Sequence, residues 1–255
     1  MVSGSMPTLD HRPQASVTAA FEMITGGFKG PNSSTQIFSD RLTLHSHTGT
    51  HIDALAHWAV DGLHFQGAPA EVGPQGSGMS GLGVDVIPPI LTRGLLIDLV
   101  ADNGGAPLKR GAQVEADVID AYLSERELSI QEGDVVLIRT GWAQHWTEPQ
   151  LYMSGAPGLT EEAARSLCDH GCIAIGMDQW SIDAMPPTSD SEQFIVHTVC
   201  LVQRGVYLIE NLDLEMLGRL GQPVFAFVLL VVPVLGATGF PVQPVALVER
   251  EGANR

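Results

Sequence analysis

The chain has 255 residues, 44% of them hydrophobic, which is enough for one large domain with a full core, and a formal charge of −16 with only 13 Lys plus Arg. So few cations exclude a binder of nucleic acid or of anionic membrane surfaces, both of which need basic patches. Cys168, Cys172 and Cys200 are odd in number and lack a CxxC pair, so they read as buried thiols in a reducing cytoplasm rather than as a disulfide framework.

Residues 1–14 lack the apolar core of a signal peptide. With little periodicity before Phe21, residues 1–31 read as an N-terminal arm ahead of a single domain over residues 32–255. Gln36 to Leu44 alternates like a strand and leads into a His-rich run, whose ligands are expected at the strand end and in the following loop. Gly67 to Gly83, rich in Gly, Pro and Ser, predicts a loop or flap near the site.

Apolar runs at 95–100, 135–139, 172–177, 206–209 and 224–232 suit interior strands. Val114, Val118, Ile119 and Tyr122 recur at helical spacing. Thr160 before Glu161 and Glu162 reads as an N-cap, Asp169-His170-Gly171 as a helix end, and Asn211 as the cap of a short helix through Leu217. Val224 to Leu235 falls short of the about 20 residues of a membrane span and contains Pro233, so it reads as a buried strand. Strands alternating with helices predict an α/β fold.

The run His47-Thr-Gly-Thr-His51-Ile-Asp53-Ala-Leu-Ala-His57 concentrates three imidazoles and a carboxylate beyond what packing requires. Neutral imidazole and carboxylate are ligands for borderline divalent cations, and Gly49 allows a tight turn between donors. Glu210 closes the apolar run Val206-Tyr-Leu-Ile-Glu, and a carboxylate at the end of a buried strand needs a cation or a donor. His64 is a second acid/base candidate and Asp61, before Gly62, a turn residue. Phe28, Trp58, Phe65, Trp142 and Trp180 are the aromatic candidates for a substrate wall, with Trp58 and Phe65 flanking the run. No Gly-x-Ser-x-Gly elbow or Gly-rich phosphate loop competes with this reading.

The run resembles the His-x-Gly-Thr-His-x-Asp-x-x-x-His signature of the cyclase family of metal-dependent hydrolases, which includes bacterial kynurenine formamidase and isatin hydrolase. Trp58 to Gly67, Phe194 to Leu214 and Gly236 to Pro244 are similar to further family segments, while Leu55 stands where many members carry proline. The resemblance implies a swivelling β/β/α architecture with a mixed sheet and buried central strands. It implies His47, His51 and Asp53 as metal ligands, His197 and Glu210 as further ligands, and His57 as catalytic acid/base. One or two Zn2+ or Mn2+ ions, a homodimer or higher homo-oligomer and a small-molecule substrate follow from it. The expected activity is hydrolysis of an amide, imide or lactam C–N bond in a ring-bearing substrate. The alternatives are a polyketide cyclase using the same metal and His57 for C–C bond formation, and a non-catalytic binding protein.

Overall fold

A computed structural model describes residues 2–3, 22–29, 34–187 and 194–249. In chain order the strands are β1 (Val2–Ser3), β2 (Glu22–Lys29), β3 (Gln36–Thr43), β4 (His51–Asp53), β5 (Ile90–Asp98), β6 (Gln113–Val114), β7 (Val135–Arg139), β8 (Gly158–Leu159), β9 (Ala174–Met177), β10 (Tyr207–Glu210), β11 (Val224–Leu229), β12 (Gly239–Pro241) and β13 (Val245–Leu247). The helices are α1 (Leu99–Asp102), α2 (Ala116–Glu125), α3 (Pro149–Tyr152), α4 (Glu161–Asp169), α5 (Ile195–His197) and α6 (Glu215–Leu220). A π-helix over Thr198–Arg204 continues directly from α5.

Among the described residues, nine strands form one mixed sheet in the order β1-β13-β11-β5-β7-β9-β10-β4-β12. The four at its centre, β5, β7, β9 and β10, run parallel, and the flanking pairs are antiparallel. Buried on both faces, the parallel strands need apolar residues at every position, which is why they appear in the sequence as unbroken runs. Successive residues divide between two cores: Leu95, Ile97, Val136, Ile138, Ile175 and Leu208 pack under the helices, whereas Leu96, Leu137, Ala174 and Ile209 face the opposite layer. This mixed α/β single domain is the architecture the resemblance implies.

The strand runs at 135–139 and 206–209 emerge as β7 and β10 almost residue for residue. Thr160 caps α4 through a hydrogen bond from the Ala163 amide, and the helix closes at His170 before Gly171. Other expectations are corrected. Val114 belongs to β6, and α2 buries Ile119 and Tyr122 but exposes Val118. The run from 95 leaves the sheet at Asp98, whose carboxylate accepts from the Val100 and Ala101 amides and starts α1. β11 stops at Leu229, and Leu230, Val232, Val234 and Leu235 are exposed; past the Leu229–Ile90 pair no ladder partner continues, and Pro233 cannot donate to one. Asn211 caps no helix; Asp213 Oδ1 accepts from the Glu215 amide at the start of α6.

β3 is not the strand that carries the ligands. It pairs with β2 in an exposed two-stranded hairpin, with Phe28 opposite Ile37. The expected boundary at residue 31 falls outside the described residues, as does most of the arm. Residues 67–83 form short 3-10 turns closed against Gly236 and Ala237, with Met79 and Val84 amides donating to their carbonyls. Among the described residues no helix is long and apolar enough to cross a membrane.

Candidate metal centre

The ligand-bearing residues meet because two short strands lie side by side. β4 pairs antiparallel with β10, placing His51 directly opposite Glu210, and Asp53 opposite Leu208. Directly opposed residues share a sheet face, and so do residues two apart on one strand. His51, Asp53 and Glu210 therefore project toward the helix side, while Ile52 and Ile209 enter the opposite core. From that helix side, α5 brings His197, and the 3-10 turn after β4, Leu55–His57, brings His57. The turn before β4, with Gly49 at φ +63°, brings His47.

Asp53 is the centre of the group. Its carboxylate is 1% exposed, and neither oxygen has a hydrogen-bond partner of acceptable geometry. Imidazole nitrogens nevertheless surround it: His47 Nδ1 at 2.6 Å and His51 Nε2 at 3.4 Å from Oδ1, and His197 Nε2 at 3.7 Å from Oδ2. Glu210 closes the ring, with Oε2 3.5 Å from His51 Nε2 and Oε1 3.6 Å from His197 Nε2. Two carboxylates buried this close together need compensating positive charge, which protonated imidazoles or a bound cation can supply. Ligand atoms of His47, Asp53 and His57 lie within 4.8 Å of one another, as do those of His51, Asp53 and Glu210. This donor set fits one or two divalent cations sharing Asp53.

The inward nitrogens are fixed from behind. His51 Nδ1 donates to the Gly49 carbonyl at 2.9 Å, and His197 Nδ1 donates to Asp183 Oδ2 at 2.6 Å, which leaves each Nε2 facing the carboxylates. His47 is held the other way round, with Nε2 3.1 Å from the Thr238 hydroxyl and Nδ1 inward. Gly49 is anchored in turn: its carbonyl also accepts from Asn211 Nδ2 at 3.1 Å, and the Tyr152 hydroxyl donates to Asn211 Oδ1 at 2.6 Å.

Charges in the group are strongly coupled. Burial draws the His51 and His197 imidazoles down, but carboxylates outweigh it, Asp53 and Glu210 at His51 and chiefly Asp183 and Glu210 at His197, holding each at about 9. Burial pushes Glu210 up to about 7, with Asp53 adding repulsion. Burial would raise Asp53 too, yet His57, His47 and His51 hold it well below the usual carboxylate range. His57 is drawn down to about 3 by burial, with His47, His197 and His51 adding to the effect against Asp53.

The pocket over this group is lined by His45, His47, His57, Trp58, Trp180 and Phe194, among others. Of the sequence candidates, His47, His51, Asp53, His57, His197 and Glu210 thus come together, and Trp58 and Trp180 reach the wall. Trp58 lies 5.1 Å from the His197 ring and donates to the Thr198 hydroxyl. Phe28 and Phe65 do not line the pocket: Phe28 is on the exposed hairpin, and Phe65 packs against Gly205 at the end of the π-helix. Trp142 is buried against Tyr152 in a separate cluster. His64, the other acid/base candidate, is buried with its Nδ1 2.8 Å from the Trp58 carbonyl and lies outside the pocket lining.

Sequence reasoning missed His45, Phe194, Asp183 and Asn211 as parts of the site. His45 had a local signal, since it stands two residues before His47; its ring lies 5.7 Å from that of His47, tilted by 49°. The other three reach the site only through tertiary packing.

The fold and site define a mixed α/β protein with a carboxylate-centred imidazole cluster at the junction of two short strands. The chain belongs to the cyclase family: the family profile described as "Putative cyclase" matches residues 3–184. No match is found among curated proteins. Among solved structures, one described as a novel cyclase is similar at 22% identity and TM-score 0.77, over 89% of this chain and 81% of its own. Isatin hydrolase A from Ralstonia solanacearum is similar at 23% identity and TM-score 0.68, over 98% of this chain and 89% of its own. Isatin hydrolase A from Labrenzia aggregata, bound to benzyl benzoate, is similar at 22% and 0.69, over 96% and 92%.

Proposed function

We propose that this protein is a metal-dependent hydrolase that opens an amide, imide or lactam C–N bond in a small, ring-bearing substrate. The observation that carries this reading is the buried Asp53 carboxylate, without a hydrogen bond of good geometry at either oxygen and ringed by the nitrogens of His47, His51 and His197 with Glu210 beside them. A divalent cation bound there supplies a Lewis acid that polarises a carbonyl and acidifies water near neutral pH. Its ligands would be His47 Nδ1, the Nε2 atoms of His51 and His197, and the Asp53 and Glu210 carboxylates.

The chain's own groups do the rest. His57 stands at the pocket side of the cluster, 4.1 Å ring to ring from His47 and 5.9 Å from His197. Burial keeps its imidazole neutral, so it is free to take a proton from the attacking water. The proton so taken is then available to the leaving nitrogen, which needs it for the C–N bond to break. Trp58, Phe194 and Trp180 form an apolar wall that suits a flat ring and excludes water around the scissile bond. That isatin hydrolases share the fold supports hydrolysis over the polyketide-cyclase alternative.

The test is a turnover screen of the purified protein with N-formyl-arylamines, isatin and simple cyclic imides, with zinc or manganese added. Ring opening or deformylation that disappears with a chelator supports the reading. Absence of C–N cleavage across all three classes, with cation bound, would overturn it.

A further inference from the structure

A second cluster of reactive side chains lies outside the pocket, where α4 packs on the π-helix. Cys168, in the last turn of α4, has its sulfur 3.9 Å from that of Cys200 in the π-helix. The Cys172 thiol, just past Gly171, also contacts Cys168. Cys200 and Cys172 are buried, whereas Cys168 is partly open to solvent. At the rim Arg204 pairs with Asp169 at 2.8 Å. The hydrolytic site uses none of these groups.

We propose that Cys168 is a peroxide-reactive thiol and Cys200 its resolving partner, forming a reversible disulfide that ties α4 to the helix carrying His197. Access and contact assign the roles: Cys168 is the thiol of the three that is open to an oxidant in solution, and the Cys200 sulfur lies 3.9 Å from it. Hydrogen bonds from Cys172 and Cys200, with the Arg204 guanidinium nearby, hold the Cys168 thiol below its ordinary value against burial and Asp169. In the first step the Cys168 sulfur attacks one oxygen of hydrogen peroxide, the O–O bond breaks, one water leaves, and a sulfenic acid remains. In the second the Cys200 sulfur attacks the Cys168 sulfur, its proton joins the departing hydroxyl, and a second water leaves. Two thiols and one peroxide become one disulfide and two waters.

Bonding requires the sulfurs to close from 3.9 Å to about 2.05 Å, so side-chain rotation or a shift of the π segment must supply the difference. A π segment, with its wider ladder, is a common site for local adjustment in a helix. His197 lies three residues before Cys200 on that continuous helix, so such a shift is transmitted toward the metal centre.

The experiment treats the purified full-length protein with equimolar hydrogen peroxide, blocks free thiols with iodoacetamide and maps peptides by mass spectrometry. The expected result is a Cys168–Cys200 cross-linked peptide, a single alkylated cysteine at Cys172, and recovery of three alkylated cysteines after dithiothreitol. Cys172→Ala should still form the cross-link, and Cys200→Ser should leave a dimedone-reactive Cys168. Three free thiols after peroxide, a cross-link through Cys172 instead, or irreversible sulfinic acid at Cys168 in the unsubstituted protein would overturn the proposal. The readout is independent of hydrolysis, so it stands or fails apart from the proposed activity.

Discussion

His197 Nδ1 donates to Asp183 Oδ2 across 2.6 Å, while Asp183 Oδ1 accepts from the Val196 amide at 2.8 Å. One carboxylate therefore fixes both the imidazole and the start of the helix that carries it. Removing it frees the ring to rotate and to adopt either tautomer. Asp183→Ala is expected to weaken divalent-cation binding by about 10–100-fold, as loss of a ligand's outer partner generally does. Competition titration against a chromogenic chelator measures this, and unchanged affinity would show that Asp183 has no positioning role.

Close approach on the other side of β4 makes a second prediction. Gly239 pairs with Asp53, and a Cβ at Gly239 would lie 2.4 Å from the His47 ring. Gly239→Ala must push that imidazole away from Asp53 or shift β12. The expected outcome is weaker cation binding and a stability loss of about 1–3 kcal/mol, the usual cost of overpacking. Chemical denaturation with and without added cation separates the two effects; wild-type values in both would refute the close contact.

Stability against pH follows from the coupled charges. His51 and His197 have folded values of about 9, above the ordinary 6.5, so their contribution is fully present below about 6.5 and is lost as pH rises through about 9. Glu210, raised to about 7, adds a loss that is complete near that pH. The chelator-treated protein should therefore melt at progressively lower temperature from pH 7 to pH 9, by roughly 5 °C or more. Added divalent cation, which replaces those protons, should remove the trend. A melting temperature that rises over this range without cation would contradict the assignment.

How far the sequence disclosed this site depends on the range of each interaction. His47, His51, Asp53 and His57 were legible because they crowd into eleven consecutive residues, and Glu210 because a carboxylate ends a buried apolar strand. Their backbone was misplaced: the alternating 36–44 run advertised a strand, but its partner β2 holds it in a separate hairpin, and β4 is only three residues long. Asp183, Asn211 and Phe194 left no local signal, because their roles arise from contacts to His197, Gly49 and Trp58 across the fold. The thiol cluster was hidden for the same reason, since Cys168 and Cys200 are 32 positions apart in sequence. Phe65 misled because nearness in sequence to the His run did not translate into facing the pocket.

His57 separates binding from chemistry. Its ring lies 4.1 Å from that of His47 and it is assigned the proton transfer rather than a ligand role, so His57→Ala should keep bound cation while lowering turnover by about 10²–10⁴-fold. Steady-state kinetics with parallel elemental analysis tests this. Normal turnover in that variant would remove His57 from its role as acid/base.

The central claim is that Asp53 and its surrounding imidazoles hold a divalent cation, and the most direct measurement is elemental analysis of the purified protein alongside Asp53→Asn and His51→Ala. The account predicts one or two equivalents of a divalent transition metal in the unsubstituted protein and a large loss in both variants. Absence of metal after growth and titration with zinc and manganese, or undiminished metal in Asp53→Asn, would contradict it.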